Sequence, residues 1–233
     1  MISLLQLLKE TQTQKILVPR RSPEERAKNH LIATNKKIQE YIKNGSQGDL
    51  DLANTPIKQL LSNLVKVGGN LDLEDSKIEK LPDNLTVEGY LDLRNSKITK
   101  LPDNLQVGGY LDLRNTPITQ LPDNLKVGGN LNLYNAQITQ LPDNLAIGGY
   151  LDLWDTQITH LPDNLTVGGD LDLRNTPITH LPDNLKVGWN LYLRNTKITQ
   201  LPDNLKVGGV IYVSDGKEQY FKDKYPQFAN KIR

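Results

Sequence analysis

The pair Leu-x-Leu returns along the chain at Leu50, Leu71, Leu91, Leu111, Leu131, Leu151, Leu171 and Leu191, and Ile211-Tyr212-Val213 is a ninth, degenerate copy. The interval is 20 residues, except for 21 after the first copy. There Leu60-Leu61-Ser62-Asn63-Leu64-Val65-Lys66-Val67 replaces the usual Leu-Pro-Asp-Asn-Leu-x-Val. A fixed period of this length constrains the fold more than any local signal. Each unit is one supersecondary element too small to bury its own apolar groups, so neighbours must stack.

One unit shows the logic. Leu111 and Leu113 alternate with Tyr110, Asp112 and Arg114, the period-two pattern of a short strand. Thr116 and Ile118 follow as the chain leaves the strand. Leu121-Pro122-Asp123-Asn124 reads as a turn, because Pro presets its backbone angle and Asp and Asn bond their own backbone. Leu125 and Val127 return inward. Gly128-Gly129 is expected to let the chain bend tightly into the next strand. Each coil therefore offers six apolar positions of small to medium size. That core has little space for large side chains, which fits a chain with one Met and two Phe among 233 residues.

The run Leu-x-Leu-x-x-(Thr/Asn)-x-Ile-x-x-Leu-Pro resembles the leucine-rich repeat in its short, 20-residue bacterial or phage form. The resemblance implies an α/β solenoid: a right-handed coil with a parallel β-sheet on its concave face, a helical N-terminal cap and a short C-terminal cap. It divides the chain into a cap over residues 1–47, nine repeat strands over 48–216 and a second cap over 217–233. Two departures stand out. The usual ladder Asn is Thr or Ser at Thr55, Ser76, Ser96, Thr116, Thr156, Thr176 and Thr196, and Ala136 in one coil. A hydroxyl there is expected to bond backbone of the adjacent coil, with fewer donors than an amide. The Gly pair also stands where the family often has another Leu, so a distorted strand entry is expected.

Both ends read as caps, which a solenoid needs to keep its terminal apolar faces from water. Ser22-Pro23-Glu24-Glu25 combines an N-cap Ser, Pro in the first helical turn and a capping-box Glu. Ala27, Leu31, Ile38, Tyr41 and Ile42 follow at helical spacing, with Thr34 in the remaining slot, and Gly45 stops the helix. At the far end Glu218–Phe221 and Tyr225–Phe228 form an aromatic segment with a break at Pro226 that holds both Phe residues. Met1–Glu10 is apolar but lacks the basic start and cleavage site of a signal peptide. A short helix packed on the cap is one reading of it. The other is a resemblance to delivery peptides of proteins packaged in tailed-phage heads, cut after Leu/Ile-x-Glu. Leu8-Lys9-Glu10 and Ile38-Gln39-Glu40 match that pattern.

Most chemistries are poorly supported. The absence of cysteine removes disulfides, thiolate metal sites and cysteine nucleophiles. There is no Gly-x-Ser-x-Gly, and Val-Gly-Gly lacks the Lys and Ser/Thr of a phosphate loop. His160 and His180 share a column with Lys100, Gln120, Gln140 and Gln200, which reads as a polar edge rather than a metal site. The Asp ladder is too flat to surround calcium. Thr99, Thr119, Thr139, Thr159, Thr179 and Thr199 form a regular column, but its polar neighbours and Lys58 and Glu79 at its head disfavour an ice-binding plane. No cofactor is expected. A net charge of +1 gives no basic excess for nucleic acid. No run reaches the roughly 18 apolar residues that span a bilayer. The charge is nevertheless uneven: +5 over residues 1–47, +3 over 217–233 and −7 over the repeats.

The candidate site is on the concave sheet, where residues flanking the inward Leu point outward. The middle column is Asp51, Asp72, Asp92, Asp112, Asn132, Asp152, Asp172, Tyr192 and Tyr212; the next is Ala53, Glu74, Arg94, Arg114, Tyr134, Trp154, Arg174, Arg194 and Ser214. Asp and Arg are expected to neutralise each other. That lattice breaks at Tyr134 and Trp154. With Tyr150 and Asp152 on the same face and Arg114 and Arg174 to either side, exposed aromatics ringed by Arg have the composition of a protein-binding hot spot. The expected function is non-enzymatic recognition of a protein partner by a cytoplasmic monomer. The alternatives are a structural or virion-packaged protein without selective binding, or one delivered to a host cell. Some short-repeat bacterial effectors carry a cysteine-dependent ubiquitin-ligase domain, which this cysteine-free chain lacks.

Overall fold

A computed structural model describes residues 22–233. The readings of Met1–Glu10 lie outside the described residues. The chain enters through helix α1 (Pro23–Lys43) and then winds through the repeats. It leaves through helix α2 (Glu218–Lys224) and a 3₁₀ turn at Pro226–Phe228. The capping box forms as the sequence dictates: the Glu25 N–H donates to Ser22 Oγ at 3.1 Å and the Ser22 N–H to Glu25 Oε2 at 3.0 Å. Gly45 ends α1 with φ near +83°, a conformation that costs a side-chain-free residue little.

Nine two-residue strands, one per Leu-x-Leu, make a parallel sheet in strict sequential order. Leu pairs with Leu and Asp with Asp from coil to coil, as in Leu91↔Leu111 and Asp92↔Asp112. The fold is the leucine-rich-repeat solenoid that the sequence resembles. A second parallel sheet of eight strands was not anticipated. It runs through the x-Val step of each unit, with Val87↔Val107 and Val107↔Val127 in register. All six apolar positions of each coil are buried between the two sheets: Leu111, Leu113, Ile118, Leu121, Leu125 and Val127 are each at most 7% exposed.

Two local expectations need correction. The chain bends at the Gly pairs, as expected, but without distorting the coil. None of them has positive φ, and they continue the coil-to-coil bonding, with Gly128 N donating to Val107 O at 2.9 Å and Gly129 N to Gly109 O at 3.0 Å. Their role is close approach. A Cβ on Gly128 would lie 2.3 Å from Gly108 O. The ladder hydroxyls stay within their own coil: Thr116 Oγ1 donates to Leu113 O at 2.7 Å, and Thr176 Oγ1 to Leu173 O at 2.6 Å. The adjacent-coil ladder belongs to the residue before each hydroxyl. Asn115 Nδ2 donates to Asn95 Oδ1 and Asn135 Nδ2 to Asn115 Oδ1, at 2.8 and 2.9 Å. These Asn take φ near +57°, a region Asn tolerates better than most residues.

The α1 stripe is only half used. Thr34 and Ile38 are buried and Tyr41 and Ile42 partly so, whereas Ala27 and Leu31 stay exposed beside an open groove that also includes Leu60 and Leu61. Tyr41 ties the cap to the first coils: its hydroxyl donates to Gly48 O at 2.7 Å and accepts from Gly68 N at 3.2 Å. Ile38-Gln39-Glu40 is inside this helix with Ile38 fully buried, so it is no accessible cleavage site in the folded chain. At the other end Phe221, Tyr225 and Phe228 are buried over the last coil. Residues 231–233 then pair with the edge strand Ile211–Tyr212, with Ile211 N donating to Lys231 O at 2.9 Å and Arg233 N to Ile211 O at 3.0 Å.

Candidate binding face

On the nine-stranded sheet, six strands have Asp at the middle position, and each turns its carboxylate onto the backbone N–H two residues ahead. Asp112 Oδ1 accepts from the Arg114 N–H at 3.1 Å, and Asp172 Oδ1 from the Arg174 N–H at 3.0 Å. The Arg side chain then folds back over the same carboxylate. Arg114 Nε donates to both oxygens of Asp112 at 3.0 Å, and Arg94 and Arg174 grip Asp92 and Asp172 in the same way. Arg94 also reaches Glu74 of the preceding coil at 2.8 Å and Asp112 of the next at 3.4 Å. The Asp/Arg lattice is thus internally neutralised in these coils, and it covers Asp92, Asp112 and Asp172 to at most 8% exposure. Among the described residues, the one set of three carboxylates close enough for a cation is Asp72, Glu74 and Asp92, with oxygens within 4.8 Å of one another. Arg94 already occupies that set.

The lattice gives way in the two coils where Arg is replaced. Tyr134 and Trp154 stand side by side, with ring centroids 5.0 Å apart and planes tilted by 55°. Arg174 lays its guanidinium carbon 4.2 Å above the Trp154 ring and 5.4 Å from the Tyr192 ring. Tyr192 in turn stacks on Tyr212 at 4.8 Å and 4°. The result is a continuous row, Tyr134–Trp154–Arg174–Tyr192–Tyr212, across five coils. On the other side Tyr150 leans past one coil to Tyr110, at 6.0 Å, and the Tyr110 hydroxyl donates to Asp112 Oδ2 at 2.9 Å. Burial, chiefly, and contact with Tyr150 push the Tyr110 hydroxyl well above its ordinary pKa.

Of the six residues singled out from sequence, the geometry brings Tyr134, Trp154 and Arg174 into one contact row. Tyr150 joins Tyr110, Arg114 holds Asp112, and Asp152 lies between these groups. Tyr134, Trp154 and Tyr150 are half-buried rather than fully exposed, because neighbouring side chains close over them. Tyr110, Tyr192 and Tyr212 were missed. For Tyr192 and Tyr212 the signal was present in the columns, since they replace Asp at the strand centre. The indole N–H of Trp154 is the one buried side-chain polar atom among the described residues without a hydrogen-bond partner, a rare condition in a settled interior.

Asp152 differs from Asp92, Asp112 and Asp172, each of which is gripped by the Arg two residues on. Its Oδ1 accepts the Trp154 N–H at 3.0 Å, but no basic side chain grips it. Burial lifts its pKa to about 6; the nearby Asp172 adds to this, and the Trp154 N–H, Arg174 and Arg114 pull against it.

His160 and His180 are exposed and hydrogen-bonded in their own coils, Thr159 Oγ1 to His160 Nδ1 at 3.1 Å and Thr179 Oγ1 to His180 Nδ1 at 2.8 Å. Among the described residues no helix is long and apolar enough to cross a membrane.

No protein-family model matches the sequence, and no curated protein does. Solved structures match by fold. Among them is the leucine-rich-repeat domain of a Shigella effector, with a TM-score of 0.50 at 16% identity, covering 80% of this chain and 90% of that one. At that identity the likeness speaks for the fold alone.

Proposed function

We propose that this leucine-rich-repeat solenoid is a non-enzymatic scaffold that recognises a protein partner on its concave sheet. One observation supports this most: the Tyr134–Trp154–Arg174–Tyr192–Tyr212 row interrupts the neutral lattice and runs from the fifth coil to the last. Trp, Tyr and Arg are the residues that carry most binding energy at interfaces. The Trp154 N–H adds a buried donor without a partner. We place the molecule among binding modules and not catalysts, acting as a monomer in the cytoplasm, with protein rather than nucleic acid or membrane as its target. The Shigella neighbour is an effector, which is compatible with delivery to a host cell.

The near-identity of the coils favours a second reading, a structural or packaged repeat protein without selective binding. Capture from lysate of the source and of its host, with wild type beside the Tyr134→Ala/Trp154→Ala double variant, separates the two. Proteins retained by wild type and lost by the double variant are expected. Equal capture by both overturns the concave-face reading.

A further inference from the structure

The two replaced coils are not replaced alike. Where Tyr134 stands in the Arg column, the strand residue has also changed, to Asn132, so charge is removed from both columns together. Where Trp154 stands in the Arg column, Asp152 is kept. Asp92, Asp112 and Asp172 are each gripped by the Arg two residues on, and those three, like Asn132, are at most 8% exposed. Asp152 has only the Trp154 N–H and remains partly open. Arg174 cannot serve it as well, because its Nε and Nη2 are committed to Asp172 and its plane to Trp154. Asp51 and Asp72 also lack an Arg two residues on, but Asp51 is exposed in the first coil, and Asp72 is followed by Glu74, to which Arg94 reaches back. The balance of the face points the same way: its two central columns hold seven carboxylates and four arginines.

From this we propose that the partner seats a basic side chain, arginine or lysine, on Asp152. It does for Asp152 what Arg94, Arg114 and Arg174 do for the carboxylates of their own coils. The inference rests on the concave-face reading and names the chemistry of the contact. A buried carboxylate lacking its cation offers a charge-assisted, bidentate contact to a guanidinium. A cation seated over the face of a neighbouring ring is also attracted by the ring quadrupole. The Asp152 pKa of about 6 is consistent with a group awaiting its counter-ion.

The test is a displayed library of random peptides, panned at neutral pH against the wild-type chain. The selected peptides are then measured against Asp152→Asn, Trp154→Arg and Trp154→Ala. Asp152→Asn copies the neighbouring coil at Asn132, whose Oδ1 still accepts the Tyr134 N–H at 2.9 Å. Trp154→Arg rebuilds the Asp/Arg pair of three other coils, so both variants are expected to fold. Circular dichroism checks each. The expected result is enrichment of Arg or Lys, with affinity falling about tenfold or more in Asp152→Asn and in Trp154→Arg, as for a charge-assisted contact. Peptides that need Trp154 but carry no basic enrichment, or that bind Asp152→Asn as well as wild type, overturn the cation seat and leave the concave-face reading standing. Peptides indifferent to Trp154→Ala, or no selected peptides, overturn both.

Discussion

The guanidinium carbon of Arg174 lies 4.2 Å over the Trp154 ring while its Nε donates to both carboxylate oxygens of Asp172 at 2.9 Å. One side chain therefore satisfies a buried acid in its own coil and covers an aromatic in the coil before. Arg174→Ala leaves Asp172, 8% exposed, without its cation. Loss of a partner to a buried charged group costs about 1–3 kcal/mol or more. Urea unfolding is expected to show a decrease of that size. Arg174→Lys is expected to recover only part of it, because an ammonium lacks the planar fork. Emission from Trp154 is expected to change in both variants, and a Trp189→Phe background isolates it.

Asp152 makes stability pH-dependent with a defined sign. Its pKa rises from an ordinary 3.8 to about 6 in the folded chain, so the native state holds the proton more tightly than the unfolded state. This group contributes nothing against folding below about pH 4. Its cost grows as pH rises towards 6 and is fully present above that. One unit corresponds to about 1.4 kcal/mol, which caps the cost near 3 kcal/mol; partial contact with water brings it to about 1–2 kcal/mol. The charges facing Asp152 are Asp172, Arg174 and Arg114, and all of them remain in the Asp152→Asn variant. That variant is expected to be more stable than wild type at pH 7, with the difference fading towards pH 4. A difference that grows on acidification contradicts this account.

Gly168 tests the reason for the glycine columns. A Cβ there would lie 2.1 Å from Gly148 O, and Gly168 N donates to Ile147 O in the same close-packed sheet at 2.9 Å. Nothing flexible can yield. Gly168→Ala is expected to cost about 3 kcal/mol, the upper end of the usual overpacking of a core. Gly216 has the opposite character: its φ is near +81° with open space around the Cβ position. Gly216→Ala is expected to cost only about 1 kcal/mol, from backbone strain alone. Denaturant midpoints of the two variants compare close approach with conformation directly.

The coil architecture was legible because the constraint is repeated: the same six apolar positions, the Pro-Asp-Asn turn and the Leu-x-Leu strand recur at one period, so a misreading in one coil would have to recur in all. What a single unit hides is which coil a group bonds to. The sequence marks Thr116 as a ladder residue and Gly128 as a flexible one. Whether Thr116 bonds Leu113 or the next coil, and whether Gly128 is needed for its φ or for approach to Gly108 O, depends on the spacing between stacked backbones. The second sheet was hidden for a related reason, because Lys-Val in a single unit shows no alternation long enough to read as a strand. The site was partly legible. Columns exposed the loss of Arg at Tyr134 and Trp154, and also the retained Asp152 beside Asn132. Side-chain tilt, which no column records, decides that Arg174 reaches Trp154 and that Tyr150 reaches past a coil to Tyr110.

The edge of the concave sheet yields the last expectation. Ile211 N and Val213 N donate to Lys231 O and Arg233 O at 2.9 Å each, so residues 231–233 act as an added strand after Phe221, Tyr225 and Phe228 have covered the last core layer. An unpaired strand edge is a template for another chain. Shortening the protein to residues 1–229 keeps the three cap aromatics, 2–8% exposed, and removes the edge pairing together with the fully buried Ile232. The truncated chain is expected to remain folded, because neighbouring coils carry most of the stability of a stacked array. Amides of Ile211 and Val213 should then exchange with solvent much faster than in the full chain, while those of Leu91 and Leu111, far along the stack, keep their protection. At high concentration the exposed edge is expected to pair between copies, read as a concentration-dependent rise in mass by light scattering. Unchanged exchange at Ile211, with no rise in mass, would show that the aromatic layer alone closes this end of the solenoid.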